Sequence, residues 1–182
     1  MILRFDDVSI NSDLHNLYGI TDVFRGKYPE AQILYAISPL VHDCASETGK
    51  HCQRVYPRLF NAFSDWKRFL RPDFVGVPIL RKDVTNASHG LIHCDHRLLN
   101  RDQQEISILI SCSLVRSNIF IPPYNKWNQV TEDICKANNI ILIKFEDGWL
   151  SMEHNEFDEN HSKWYLHDRE FSVKSFSDYL ND

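Results

Sequence analysis

Two adjacent carboxylates, Asp6 and Asp7, follow the apolar run Ile2-Leu3-Arg4-Phe5 at the head of the chain. Like charges held that close call for a cation or a shared proton. Much later, His89-x-x-x-His93 sets two imidazoles four residues apart, a spacing that on a helical turn lets both reach one metal ion. Gly90 between them allows a sharp exit from a preceding strand. His96 is a third imidazole nearby, so which pair would serve stays open. Two histidines, one carboxylate and a water form a catalytic zinc arrangement with an open position. The second carboxylate would then take a proton from the water. The plainer alternatives are a histidine-rich polar loop and an acid that only caps the turn after its strand.

Other residues could complete such chemistry. His167 closes the run Trp164-Tyr165-Leu166, where an imidazole at a strand end could protonate a leaving group, with Asp168 holding its tautomer, or could be plain surface. In Pro122-Pro123-Tyr124-Asn125 the prolines stiffen the backbone and leave the amides of Tyr124 and Asn125 as fixed donors suited to an oxyanion, or form only a stiff turn before a helix. Cys44, His51 and Cys52, with His42, make a weaker candidate for structural zinc, since the short C-x₂₋₄-C pair usual in structural sites is absent. Trp127, Trp149 and Trp164 are candidates to stack on a sugar ring, whereas Phe63, Trp66 and Phe69 read as core.

These residues need a scaffold that gathers them. Ile2–Phe5 reads as a strand covered on both faces, and ligands of α/β sheets collect at the carboxyl ends of such strands. Adjacent strand residues point to opposite faces, so Asp6 and Asp7 share a rim only if the chain turns there. The pattern then gives a loop turning into helix from Asn11 to Gly19, capped by Asn11 or Ser12, weak helix from Asp22 to Tyr28, strand at Gln32–Ile37 and polar loop at Val41–Tyr56. Helix follows at Leu59–Leu70, strand at Phe74–Pro78 and a histidine-rich passage, polar loop at first, at Asn86–His96. Arg101–Ser117 suits helix better than strand because Ile119–Ile121 follows as the better strand. Lys126–Asn138 is an amphipathic helix with Val130, Ile134, Cys135 and Ala137 inward. Ile140–Phe145 is the clearest buried strand, Glu146–Ser162 is loop, Trp164–His167 is strand and Ser172–Leu180 is helix. The alternation argues for an α/β domain with parallel strands, and residues 1–182 for one domain.

Composition narrows the function classes. With 20 basic and 25 acidic residues the net charge is −5, which speaks against nucleic acid or an anionic membrane as the main partner. No apolar run is long enough for membrane insertion, and Arg4, Asp6 and Asp7 interrupt any secretory signal, so a cytoplasmic location is expected. Five scattered cysteines fit a reducing compartment.

Phe5-Asp6-Asp7, His89-x-x-x-His93, the Pro-Pro-Tyr strand end and the late Leu166-His167, in that order, resemble the polysaccharide deacetylase family with the NodB homology domain. The resemblance implies a distorted (β/α) barrel of about seven parallel strands, trimmed or incompletely closed at this length. It implies a metal-dependent hydrolase removing N- or O-acetyl groups from a carbohydrate, with Asp6 as base. Asp7, His89 and His93 would be ligands of Zn2+ or another divalent ion, Tyr124 would supply an oxyanion amide, and His167 would be the acid. Acetylated sugars or polysaccharides would be the substrates, and the Pro-Pro-Tyr-Asn variant resembles branches found in bacterial surface-polysaccharide (lipopolysaccharide) biosynthesis. Departures are specific. Arg4 replaces the first motif's Thr or Ser, and Gly90 a hydroxyl residue. Ile121-Pro122-Pro123-Tyr124 lacks the arginine of Arg-x-Pro-(Tyr/Phe), with Arg4 and Arg116 the candidates to stand in. Asp147-Gly148-Trp149 is the nearest match to Asp-x-x-Asp-Trp. The alternatives are hydrolysis of another small amide, such as an acylated sugar intermediate, and a glycan-binding protein that has lost catalysis.

Overall fold

The computed structural model describes residues 1–9, 12–39, 81–151 and 161–167. Seven strands pair in parallel in the order β5-β4-β3-β2-β1-β7-β6. They are β1 (Ile2–Val8), β2 (Gln32–Ile37), β3 (Thr85–Ser88), β4 (Ile119–Phe120), β5 (Ile141–Leu142), β6 (Leu150–Ser151) and β7 (Lys163–His167). The sheet is curled and open, a half-barrel with flanking helices, in agreement with the distorted (β/α) barrel expected from the sequence.

Side chains alternate between its two faces. Leu3, Phe5, Ile33, Tyr35, Ile37, Trp164 and Leu166 form the largest core with Leu17, Ile20 and Phe24 of helix α1 (Leu14–Lys27). The opposite face carries the small or branched Leu34, Ala36, Ala87 and Ile121, with Ile2, Ile119 and Ile143 packed against them. Helix α2 (Arg101–Val115) and helix α3 (Gln129–Ala137) meet over Ile108, Cys112, Phe120, Ile134 and Cys135.

Several local expectations change. The two helical stretches on either side of Thr21 are one helix, Leu14–Lys27, because the buried stripe Leu17, Ile20, Thr21 and Phe24 runs on past Gly19, and the cap candidate Asn11 lies outside the described residues. Its cap is Asp13, whose carboxylate accepts the Asn16 N–H, while the Ser12 hydroxyl is engaged by the Ser9 N–H. Asn86 lies in β3 and not in a polar loop. The run Ile140–Phe145 is not a covered strand. Only Ile141–Leu142 pairs, at the sheet edge, and Ile141 is 55% exposed. Branched apolar residues mark a strand but not its place in the sheet. Glu146–Ser162 is not all loop, since β6 pairs with β7. Ala137 ends α3 exposed. The helix at Arg101–Ser117 and the strand at Trp164–His167 agree with the structure. Expectations for Val41–Tyr56, Leu59–Leu70 (with Phe63, Trp66 and Phe69), Phe74–Pro78 and Ser172–Leu180 lie outside the described residues.

Tyr35 sits edge-on to Phe5, its register partner, and burial pushes its phenol up to about 12. Its hydroxyl bonds the Thr21 hydroxyl at 2.6 Å, which itself donates to the Leu17 carbonyl at 2.8 Å. Tyr35→Phe keeps the ring and the Thr21–Leu17 bond, so it should cost only about 1 kcal/mol. Phe24→Ala, which opens a cavity between α1 and the sheet, should cost about 3–5 kcal/mol. Urea unfolding followed by circular dichroism separates the two.

Candidate metal centre

The site forms where the strands end. In β1 the pairing with β2 slips between Phe5 and Val8, and Asp7 takes a left-handed φ of 63°. This local reversal defeats the alternation of a regular strand and brings Asp7 to the rim. An aspartate tolerates that conformation better than a branched residue would.

The imidazoles arrive from the segment after β3. It is not helical, so the turn on which the spacing of His89-x-x-x-His93 would stack two imidazoles is not formed. It is an irregular loop entered through Gly90 at φ 79°. A Cβ at Gly90 would lie 2.9 Å from His96 Cε1 and 3.0 Å from the Ile92 carbonyl oxygen, so the loop requires glycine there. The Ser38 hydroxyl donates to the His89 carbonyl, and the Leu91 N–H donates to the Ser107 hydroxyl of α2. His96 is completely buried with Nδ1 on the Cys94 carbonyl and Nε2 on the Ser107 hydroxyl. It braces the loop with both ring nitrogens engaged, and the cluster that could hold an ion takes in His89 and His93. The serines that hold the loop carried no recognisable signal in the sequence.

Asp7, His89 and His93 each offer one ligand atom, and these atoms lie within 4.8 Å of one another. Asp7 Oδ1 is 2.9 Å from His93 Nε2 and 3.5 Å from His89 Nε2. His89 Nδ1 is 2.8 Å from the Ile121 carbonyl oxygen. A carbonyl only accepts, so in the neutral ring Nδ1 carries the proton and the Nε2 lone pair faces the Asp7 carboxylate. Two acceptors meeting this way fit a cation between them, and the Ile121 bond is the outer support a ligating imidazole usually has. Burial raises the Asp7 carboxyl, but when the His89 and His93 rings are protonated their hydrogen bonds and charges outweigh it and hold the group well below the usual carboxylate range. The cluster is therefore able to coordinate a divalent ion.

Asp6 is buried on the inner face beside this centre, and its Oδ2 accepts a 2.8 Å bond from Nη2 of the fully buried Arg4. The same nitrogen donates to Asn125 Oδ1 at 2.9 Å. Arg116, the other candidate for this contact, is an exposed residue capping α2 at φ 55°. Asn125 was expected to offer its amide, but that N–H closes the proline turn on the Pro122 carbonyl. Tyr124 occupies this turn at φ 57°, its ring 4.2 Å from that of His93. His167 ends β7 in register with Asp6, and its side chain lies outside the described residues. Cys44, His51, Cys52 and His42 also lie outside them.

Burial removes Trp149 and Trp164 as candidates for stacking on a sugar ring. Trp164 is core, Trp149 is buried over the Arg4 guanidinium at 4.7 Å, and the Trp127 indole N–H donates to Glu132. Asp147 caps the turn before Gly148 and is exposed. Burial pushes the Cys112 and Cys135 thiols up to about 12, which removes them as nucleophiles near neutral pH.

Burial pulls His96 down to about 4, partly offset by its bond to the Cys94 carbonyl. The unfolded chain therefore binds more protons than the folded one between about pH 6.5 and 4. Stability contributed by neutral His96 should be present above pH 6.5 and fall by up to roughly 3 kcal/mol by pH 4. Comparing urea midpoints of the protein and His96→Asn across that window checks this. Gly90→Ala should lower stability by roughly 1–3 kcal/mol and weaken divalent-ion binding measured by calorimetry.

No protein-family model and no curated protein matches the chain. Solved structures do. Wild-type BA3943, a CE4 family pseudoenzyme from Bacillus anthracis, matches at TM-score 0.57 and 10% identity over 100% of this chain and 59% of its own. A BA3943 mutant with restored enzymatic activity matches at 0.55 and 10%, over 100% and 61%. The family 4 carbohydrate esterase from Streptomyces lividans, solved in complex with acetate, matches at 0.53 and 12%, over 98% and 86%. The chain thus spans less than two thirds of the length of the first of these proteins. At such identities the likeness is one of fold, and the fold of this chain is that of the family 4 carbohydrate esterases, the NodB-type polysaccharide deacetylases.

Proposed function

We propose that this chain is a metal-dependent hydrolase that removes an acetyl group from an N- or O-acetylated carbohydrate, residues 1–182 acting as one catalytic domain. The observation that carries the reading is the convergence of Asp7, His89 and His93 at the strand ends, next to a second buried carboxylate. Zinc suits a donor set of two imidazoles and one carboxylate. A divalent ion held there would polarise the acyl oxygen and acidify a water.

The chain's own residues do the rest. Asp6 takes the proton from the attacking water. The Tyr124 amide donates to the oxyanion that develops on the acyl group, a role supported by the rigid proline turn that carries it. His167 gives a proton to the departing amine or alcohol. The register of β7, with His167 opposite Asp6 across the two strands, supports this. The fold's likeness to carbohydrate esterases supports a sugar substrate. A cytoplasmic location and a place in surface-polysaccharide biosynthesis belong to the same reading. Among the described residues no helix is long and apolar enough to cross a membrane.

Metal analysis after purification without added metal should find a divalent ion near one equivalent, lost in His89→Ala and His93→Ala together with acetate release from acetylated sugars. Bound metal with no release from any acetylated sugar or small amide would favour a glycan-binding role. His167→Ala should slow amide hydrolysis by roughly 10²–10⁴. It should leave nitrophenyl acetate, whose leaving group needs no proton, nearly unchanged. Equal losses on both would remove His167 from the acid role.

A further inference from the structure

Arg4 is the one lysine or arginine among the buried described residues. Residues two apart on a strand share a face, so Arg4 and Asp6 both project from the inner side of β1. The guanidinium lies 4.7 Å from the Trp149 ring and 5.1 Å from the Tyr165 ring. Its Nη2 holds Asp6 Oδ2 on one side and Asn125 Oδ1 on the other. Asn125 is itself fixed, at φ 52° in a turn closed by its own N–H. Residues of β1, of β7, of the turn after β4 and of the segment before β6 thus immobilise one cation. Nothing among the described residues bonds Asp6 Oδ1, although it is buried.

We infer that Arg4, anchored by Asn125 and flanked by Trp149 and Tyr165, is a positioning residue that grips Asp6 by Oδ2 and leaves Oδ1 to the reacting water. The inference rests on the hydrolase reading above. A carboxylate caught by one charge-assisted bond loses its freedom to rotate, and a reacting group misplaced by about 1 Å can cost 10²-fold in rate. The chain thereby replaces the arginine absent from the Pro-Tyr turn with one from the strand that bears the acids. The turn keeps a part in the arrangement by supplying a side-chain carbonyl in place of a cation.

The test is a double-variant cycle read in two ways. In turnover, Arg4→Gln should lower kcat roughly 10²-fold with KM and zinc affinity within about threefold of the parent. Asn125→Ala should lower kcat about tenfold, because Arg4 keeps its aromatic flanks. Arg4→Gln added to Asp6→Asn should cost nothing beyond Asp6→Asn alone. In stability, measured by urea unfolding of the metal-free protein, each single variant should lower the midpoint. The double variant should recover at least half of the loss, since it leaves neither charge unpaired. Should Arg4→Gln fail to fold, Arg4→Lys keeps the charge and should still lose kcat without losing zinc. Loss of zinc affinity in step with kcat, multiplicative turnover losses, or additive stability losses would overturn the inference. If the parent hydrolyses no substrate, the functional reading fails, while the stability cycle still decides whether Arg4 and Asp6 act as a pair.

Discussion

Adjacent side chains on a strand diverge, and this site depends on β1 breaking that rule at Asp7. The left-handed turn there costs of order 1 kcal/mol or more for a residue with a Cβ. It is held in place by what surrounds it. Parallel neighbours flank β1 on both sides, its apolar face is covered by α1, and the pairing with β2 resumes at Val8. The reversal brings two consecutive acids to one rim with different partners. Without it, one of them would point into the hydrophobic layer under α1.

Both acids leave water, and each is compensated differently. Asp6 has a permanent cation, Arg4, whose guanidinium is buried with it. Asp7 has two imidazoles, groups that can exchange a proton for a metal ion. A buried ion pair is a poor source of stability compared with apolar packing, so its presence in the half-barrel points to a role in geometry. The same holds for His96, Ser107 and Ser38, which hold the loop carrying His89 and His93 through bonds an apolar core would not need.

Much of this was legible in the chain. Short apolar runs gave β1, β2 and β7, the strand after it decided α2 as helix, and the acid pair with the histidine pair gave the candidate metal cluster. The misreadings share a cause, which is that tertiary position is not written in local pattern. Ile140–Phe145 has the composition of a central strand but lies at an edge. The spacing of His89 and His93 suits a helix, yet Gly90 turns them into a loop that meets Asp7 equally well. Trp149 and Trp164 looked available to a ligand and are enclosed. Arg4 was one of two possible partners for Asp6, and only the strand's facing, together with the exposure of Arg116, decides between them. Nothing in the serines foretold the bracing of the loop.

The strand order has one more consequence. Asp7 belongs to β1 and His89 follows β3, and β2 lies between them in the sheet. An ion shared by these residues would clasp two strands that do not touch, across the end of the one that separates them. Capture of the ion and completion of the three-strand unit would then be a single equilibrium, with the free ion concentration setting how firmly that part of the sheet stays closed.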